Sequence, residues 1–147
     1  MPPMAETASQ TTIIDANLDR CFAEATAFEA YPQWARDIEQ ATVRQRDDQG
    51  RATEVEFRAS ALGRSTHYTL AYDYSGAPAR LSWSMVRGDI MRAIDGAYRF
   101  RDLGDGRTEV TYDLSIELVV PLPGFVKRRA EVRILNTLKE LAIRAES

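Results

Sequence analysis

Between Glu39 and Val120 the chain alternates apolar and polar residues in six successive runs joined by short turns, and that pattern leaves few folds open. The runs are Glu39–Arg46, Arg51–Ala61, Ser65–Tyr74, Arg80–Val86, Met91–Leu103 and Thr108–Val120. Turn-forming residues separate them, among them Asp47 to Gly50, Ser75 to Pro78 and Gly104 to Gly106. Parallel neighbours need long crossovers, so connections this short predict antiparallel pairing. Val55, Phe57, Ala59 and Ala61 fall on one face of their strand. Tyr68, Leu70, Tyr72 and Tyr74 form a second row, Leu81, Trp83 and Met85 a third, and Val110, Tyr112, Leu114, Ile116 and Leu118 a fourth. The residues between them are mostly charged or polar, which predicts a sheet wet on one face and covered on the other.

The segments on either side complete the architecture. Residues 1–6 read as a flexible tail, and 7–147 as a single domain. Ser9 to Ile14 reads as a strand that pairs across the following helices to make seven. Asn17 or Asp15 can cap a helix beginning near Leu18, where a short side-chain oxygen satisfies free amides. Leu18, Phe22 and Ala25 make its apolar stripe. Pro32 disfavours helical geometry at Tyr31, so the helix is expected to end or kink there, with a short helical turn through Trp34 and Ala35. At the other end, Pro121 to Gly124 stops the last strand. Phe125 to Ala145 then carries no Gly or Pro, and Val126, Ala130, Ile134, Leu138, Leu141 and Ala145 step along one helical face. A helix of that length spans roughly 30 Å, enough to cross the sheet. The predicted fold is α+β: a seven-stranded curved antiparallel sheet, two short helices after the first strand, and a long C-terminal helix packed over the sheet. A curved sheet is wider than one helix, and small residues at 59, 61, 93, 96 and 97 predict a cavity between them.

Composition removes several classes of function. The 147 residues include one cysteine, Cys21, and one histidine, His67. No intramolecular disulfide is available, no cluster of metal ligands is evident, and a nucleophile–histidine device would have to use His67. Neither metal nor cofactor is expected, and no catalytic residue stands out. The net charge of −3 argues against a nucleic-acid footprint. No apolar run approaches the length of a membrane span, so stable membrane insertion is not expected. The N-terminus lacks a basic region followed by an apolar run, which makes a cytoplasmic location the expectation.

The order of elements resembles the helix-grip fold of the START and polyketide cyclase/dehydrase-like superfamily, in particular small actinobacterial cyclase or lipid-transport members. Phe28, Tyr31, Pro32 and Trp34 resemble that family's Tyr-Pro-x-Trp corner after the first helix. The segments Leu81 to Ser84, Asp95 to Phe100 and Thr108 to Tyr112 resemble its later strands, and Val120 to Gly124 its approach to the final helix. The resemblance covers about residues 8–145. It implies binding or transport of a hydrophobic small molecule (lipid, polyketide or isoprenoid-like), with a polyketide aromatase/cyclase or dehydratase as one alternative and a protein- or ribosome-interaction module as another. A weak homodimer is compatible with it.

The strand rows, the corner and the helix stripe give candidate ligand contacts at Trp34, Val55, Phe57, Tyr68, Leu70, Tyr72, Trp83, Met85, Tyr98, Tyr112, Leu114, Ile134 and Leu138. The same positions serve equally well as plain core, because cavity-lining and core residues share a strand face. Tyr31, Pro32 and Trp34 read as a packing corner that could also gate a cavity. His67 alternates with Ser65 and Thr69 and reads as a solvated residue. Arg58, Asp95 and Arg99 reach the interior only if a bulge shifts the strand phase. Cys21 reads as a small buried apolar residue, and Lys127 to Arg129 as a solvated helix face.

Overall fold

A computed structural model describes residues 5–61, 64–118 and 137–147. Strand β1 (Ala5–Ile14) leads into helix α1 (Leu18–Thr26) and a 3-10 turn (Phe28–Gln33). Then come β2 (Ile38–Arg46), β3 (Ala52–Ala61), β4 (Arg64–Asp73), β5 (Arg80–Gly88), β6 (Met91–Asp102) and β7 (Thr108–Leu118). Residues 137–146 are helical. The seven strands form one curved antiparallel sheet in the order β1-β7-β6-β5-β4-β3-β2. The first strand joins the sheet as its seventh member, as expected from the sequence; its neighbour is the last strand, β7, a partner the sequence did not specify. It starts at Ala5, earlier than Ser9, and takes in two residues read as tail.

Asn17 settles the choice of cap: its Oδ1 accepts from the Arg20 amide at 2.8 Å. Replacing Asn17 by alanine should cost about 1 kcal/mol, and so lower Tm by roughly 2–4 °C. The helix ends at Thr26, not at Tyr31. Thr26 Oγ1 bonds back to the Phe22 carbonyl at 2.9 Å, and the Tyr31 hydroxyl folds back onto the Ala25 carbonyl. Pro32 has no amide to extend an α-helix, so short i→i+3 bonds take over, Ala30 N to Ala27 O and Trp34 N to Tyr31 O, both 3.1 Å. The expected second helical turn thus lies over Phe28–Gln33, with Trp34 as its cap.

The C-terminal helix joins the core through Leu138, Leu141 and Ala145, each no more than 4% exposed. Arg144 Nε meets Glu24 Oε2 at 3.0 Å, and Glu140 and Glu146 accept from the amides of Arg36 and Asp15 at 2.8 Å. These contacts fix the helix end against α1 and the corner. The expected earlier part of this helix, 125–136, lies outside the described residues. Among those described, no helix is long and apolar enough to cross a membrane.

Candidate functional site

The inner face of the sheet is built by register. Phe57 lies opposite Tyr68, and Val55 opposite Leu70, which faces Met85 on the next strand. Tyr72 faces Trp83, Trp83 faces Gly96, and Gly96 faces Leu114. Leu81 faces Tyr98, which faces Tyr112. Val55, Phe57, Leu70, Trp83, Tyr98, Tyr112, Leu114 and Leu138 are buried; Trp34, Tyr68, Tyr72 and Met85 are partly buried and pack on that core. Ile134 lies outside the described residues. The rings touch in sequence across the face. Tyr72 and Trp83 centroids are 5.8 Å apart, Trp83 and Tyr98 5.3 Å, and Tyr98 and Tyr112 4.8 Å. Phe28 continues the chain of rings to the corner, 4.4 Å from Tyr72 and 5.4 Å from Tyr31, and Tyr31 lies 4.8 Å from Trp34. Strand alternation does not nominate Phe28, because it sits in the 3-10 turn; only the corner motif that contains it does.

One structural detail corrects the small-residue argument. The hollow at Gly96 is filled: a Cβ there would lie 2.5 Å from the Trp83 ring. Ala93 and Ala97 pair with Glu117 and Asp113 in phase with Asp95 and Arg99, on the opposite face from Tyr98. Ala59 remains on the inner face and buried.

Among the described residues, the polar groups of this interior are only partly paired within the protein. Tyr31 donates to the Ala25 carbonyl and Tyr74 to the Ala52 carbonyl, the latter at 2.7 Å. Among the described residues, the hydroxyls of Tyr68, Tyr72, Tyr98 and Tyr112 find no partner. Trp34 Nε1 is sealed from solvent and also has none. Burial pushes the tyrosines of this face, Tyr31, Tyr68, Tyr72, Tyr98 and Tyr112, above the usual phenol value, and takes Tyr74 to about 12. They are neutral donors at physiological pH. The two sets of hydroxyls should respond differently to deletion. Tyr74→Phe strands a buried carbonyl and should cost about 1–2 kcal/mol, whereas Tyr112→Phe should leave unliganded stability within about 0.5 kcal/mol. Urea denaturation of both variants checks this.

The remaining polar candidates lie on the other face. His67 is exposed, accepts from Arg58 Nε at 3.1 Å and stands 3.8 Å from Asp89. Arg99 pairs with Asp113 at 3.0 Å, and Asp95 is exposed. Register shifts between Thr69 and Leu70 and, on the strand of Asp95 and Arg99, between Met91 and Ala93 do not turn these residues inward: Arg58, His67, Asp95 and Arg99 are all exposed. Cys21 is fully buried in α1. Among the described residues, no three His, Cys, Asp or Glu side chains converge on a point.

A separate cleft of about 410 Å³ opens between α1, the 3-10 turn and the β2–β3 turn, lined by Phe22, Phe28, Arg46, Arg51 and Tyr74 among others. None of the sequence-nominated ligand contacts lines it. Its walls meet only when the β2–β3 turn is folded against α1, so no local sequence pattern announces it.

A curved antiparallel sheet with a C-terminal helix docked at its core and an aromatic inner face defines a START-like, helix-grip domain. A START superfamily protein from Mycobacterium smegmatis matches this structure with a TM-score of 0.81 at 25% identity, covering 95% of this chain and 94% of that one. The Zhui aromatase/cyclase from Streptomyces sp. R1128 matches at 0.80 and 13% identity, covering 97% and 94%. TTHA0849 from Thermus thermophilus matches at 0.79 and 20% identity, covering 95% and 96%. No curated protein matches the chain in sequence. The chain belongs to the polyketide cyclase/dehydrase and lipid transport family, whose model matches residues 5–144.

Proposed function

We propose that this domain binds a hydrophobic small molecule bearing oxygen, of the lipid, polyketide or isoprenoid kind, between the inner face of the sheet and the C-terminal helix. The observation that carries this is the sealed, unpartnered Trp34 Nε1 on an aromatic surface with four tyrosine hydroxyls that pair with no described residue. An unpaired buried donor costs about 1–3 kcal/mol, and a ligand oxygen would relieve it. Apolar burial would supply most of the affinity and the donors the orientation.

Binding is favoured over turnover by the chemistry of the interior. The buried polar residues described are Thr66, Thr69 and Thr108. A cyclase or dehydratase needs a group that takes up a proton near neutral pH, and tyrosines pushed above their usual value are donors instead. Native mass spectrometry before and after organic extraction tests the reading. The expected result is an adduct that extraction removes and that a fatty alcohol or a fused-ring phenol restores. A protein that runs at its own mass as purified and takes up neither compound contradicts it.

A further inference from the structure

We propose that the cleft between α1, the 3-10 turn and the β2–β3 turn is a second binding site, for an organic anion with a flat apolar body. This site is distinct from the one between sheet and helix. Its volume of about 410 Å³ falls in the range of small-molecule pockets. Phe22, Phe28 and Ala52 give it apolar walls. Its charged lining residues are Arg46, Arg51 and Glu29. Asp47, next to the lining, pairs with Arg51 as Glu29 does with Arg46, so the cations are balanced and what the cleft offers an anion is the donors those pairs leave free.

Arg51 is the better placed of the two arginines. Its guanidinium lies 4.8 Å above the centre of the Tyr74 ring, and Asp47 holds its Nε at 2.7 Å. Tyr74 is itself fixed by its bond to the Ala52 carbonyl. The guanidinium is therefore held in place before any ligand arrives, while its two Nη groups hydrogen-bond no described residue. A carboxylate can take both Nη groups in a fork. Arg46 closes the other side, donating to the Gly50 carbonyl at 3.0 Å and to Glu29 Oε1 at 2.8 Å. Glu29 is thus an internal carboxylate already seated on one of the cations, and an incoming anion competes with it. Phe22 and Phe28 would hold the apolar body. Phe28 also touches Tyr72 and Phe57 of the interior, so the two sites share a wall.

The test uses 2-naphthoate, its neutral analogue 2-naphthalenemethanol, and inorganic phosphate, titrated by calorimetry against the full chain. Naphthoate is expected to bind, and the alcohol and phosphate each to bind roughly fivefold more weakly or worse. Arg51→Gln and Arg46→Gln should each weaken naphthoate roughly fivefold while leaving the alcohol unchanged. Glu29→Gln should tighten naphthoate, a gain that a damaged fold does not produce. Equal affinity for naphthoate and alcohol, or a naphthoate affinity indifferent to all three substitutions, overturns the proposal. Phosphate binding as tightly as naphthoate overturns the apolar half of it. Naphthoate affinity that responds to Trp83→Phe but not to Arg51→Gln places the probe between sheet and helix, which overturns this site and supports the other.

Discussion

Gly96→Ala is expected to destabilise the protein by about 3 kcal/mol, a fall in Tm of roughly 10 °C. Glycine within a strand normally costs about 0.5–1 kcal/mol relative to alanine, so on backbone grounds alone the substitution should help. Packing reverses the sign. The added Cβ would stand 2.5 Å from two carbons of the Trp83 ring and 2.7 Å from its nitrogen. Trp83 is 7% exposed and is hemmed in by Tyr72, Tyr98 and Tyr112, so its ring has nowhere to go without moving theirs. The effect should vanish in a Trp83→Leu background, where the Cβ occupies space the indole has left. The expected coupling is about 2–3 kcal/mol, at the upper end for residues in contact. Additive penalties in the double variant, measured by urea denaturation, would show that the indole does not fill the Gly96 hollow.

The second large effect is alkaline. All six tyrosines are held above their ordinary value, and for each of them burial is the leading cause. A group whose folded pKa is raised gives stability that is complete below the unfolded value, about 10 for tyrosine, and is lost as pH climbs toward the folded value. Tyr31, Tyr74, Tyr98 and Tyr112 are each no more than 9% exposed. Together they should lose up to about 4 kcal/mol between pH 10 and pH 11, close to the whole stability of many domains. Tyrosinate absorbance near 295 nm should therefore stay low up to about pH 10.5 and then rise in one cooperative step with loss of helical signal. A gradual rise centred near pH 10 while the protein stays folded would mean that the phenols are open to water.

Much of the fold was written in the sequence, because its signals are local. Period-two alternation in Val55 to Ala61 and in Val110 to Leu118 needs no tertiary knowledge to read. The glycine and aspartate turns delimit the strands within a residue or two, and Asn17 acts as a cap through a bond three residues away. What the sequence concealed depends on contacts between distant residues. The end of α1 is set by Thr26 and by Tyr31 folding back, while the visible signal, Pro32, sits later in the chain. Gly96 reads as empty space until the strand register brings Trp83 alongside it. Ala97 reads as inward-facing unless the phase is counted from Tyr98. The candidate ligand contacts were legible as a face, and the rings do run together across it. The unpaired donor at Trp34 was not legible, since pairing depends on every neighbour of the indole. The Arg51–Tyr74 cleft was hidden for the same reason.

The central claim is that the interior takes up an oxygen-bearing apolar ligand, and the two tryptophans give a direct reporter of it. Their indole N–H resonances are resolved by NMR and assigned with Trp83→Phe. On titration with a neutral fused-ring phenol, the Trp34 indole proton is expected to move downfield and exchange more slowly with water, as its unpaired Nε1 gains an acceptor. Saturation of the protein by the phenol with both indole signals unmoved would contradict it.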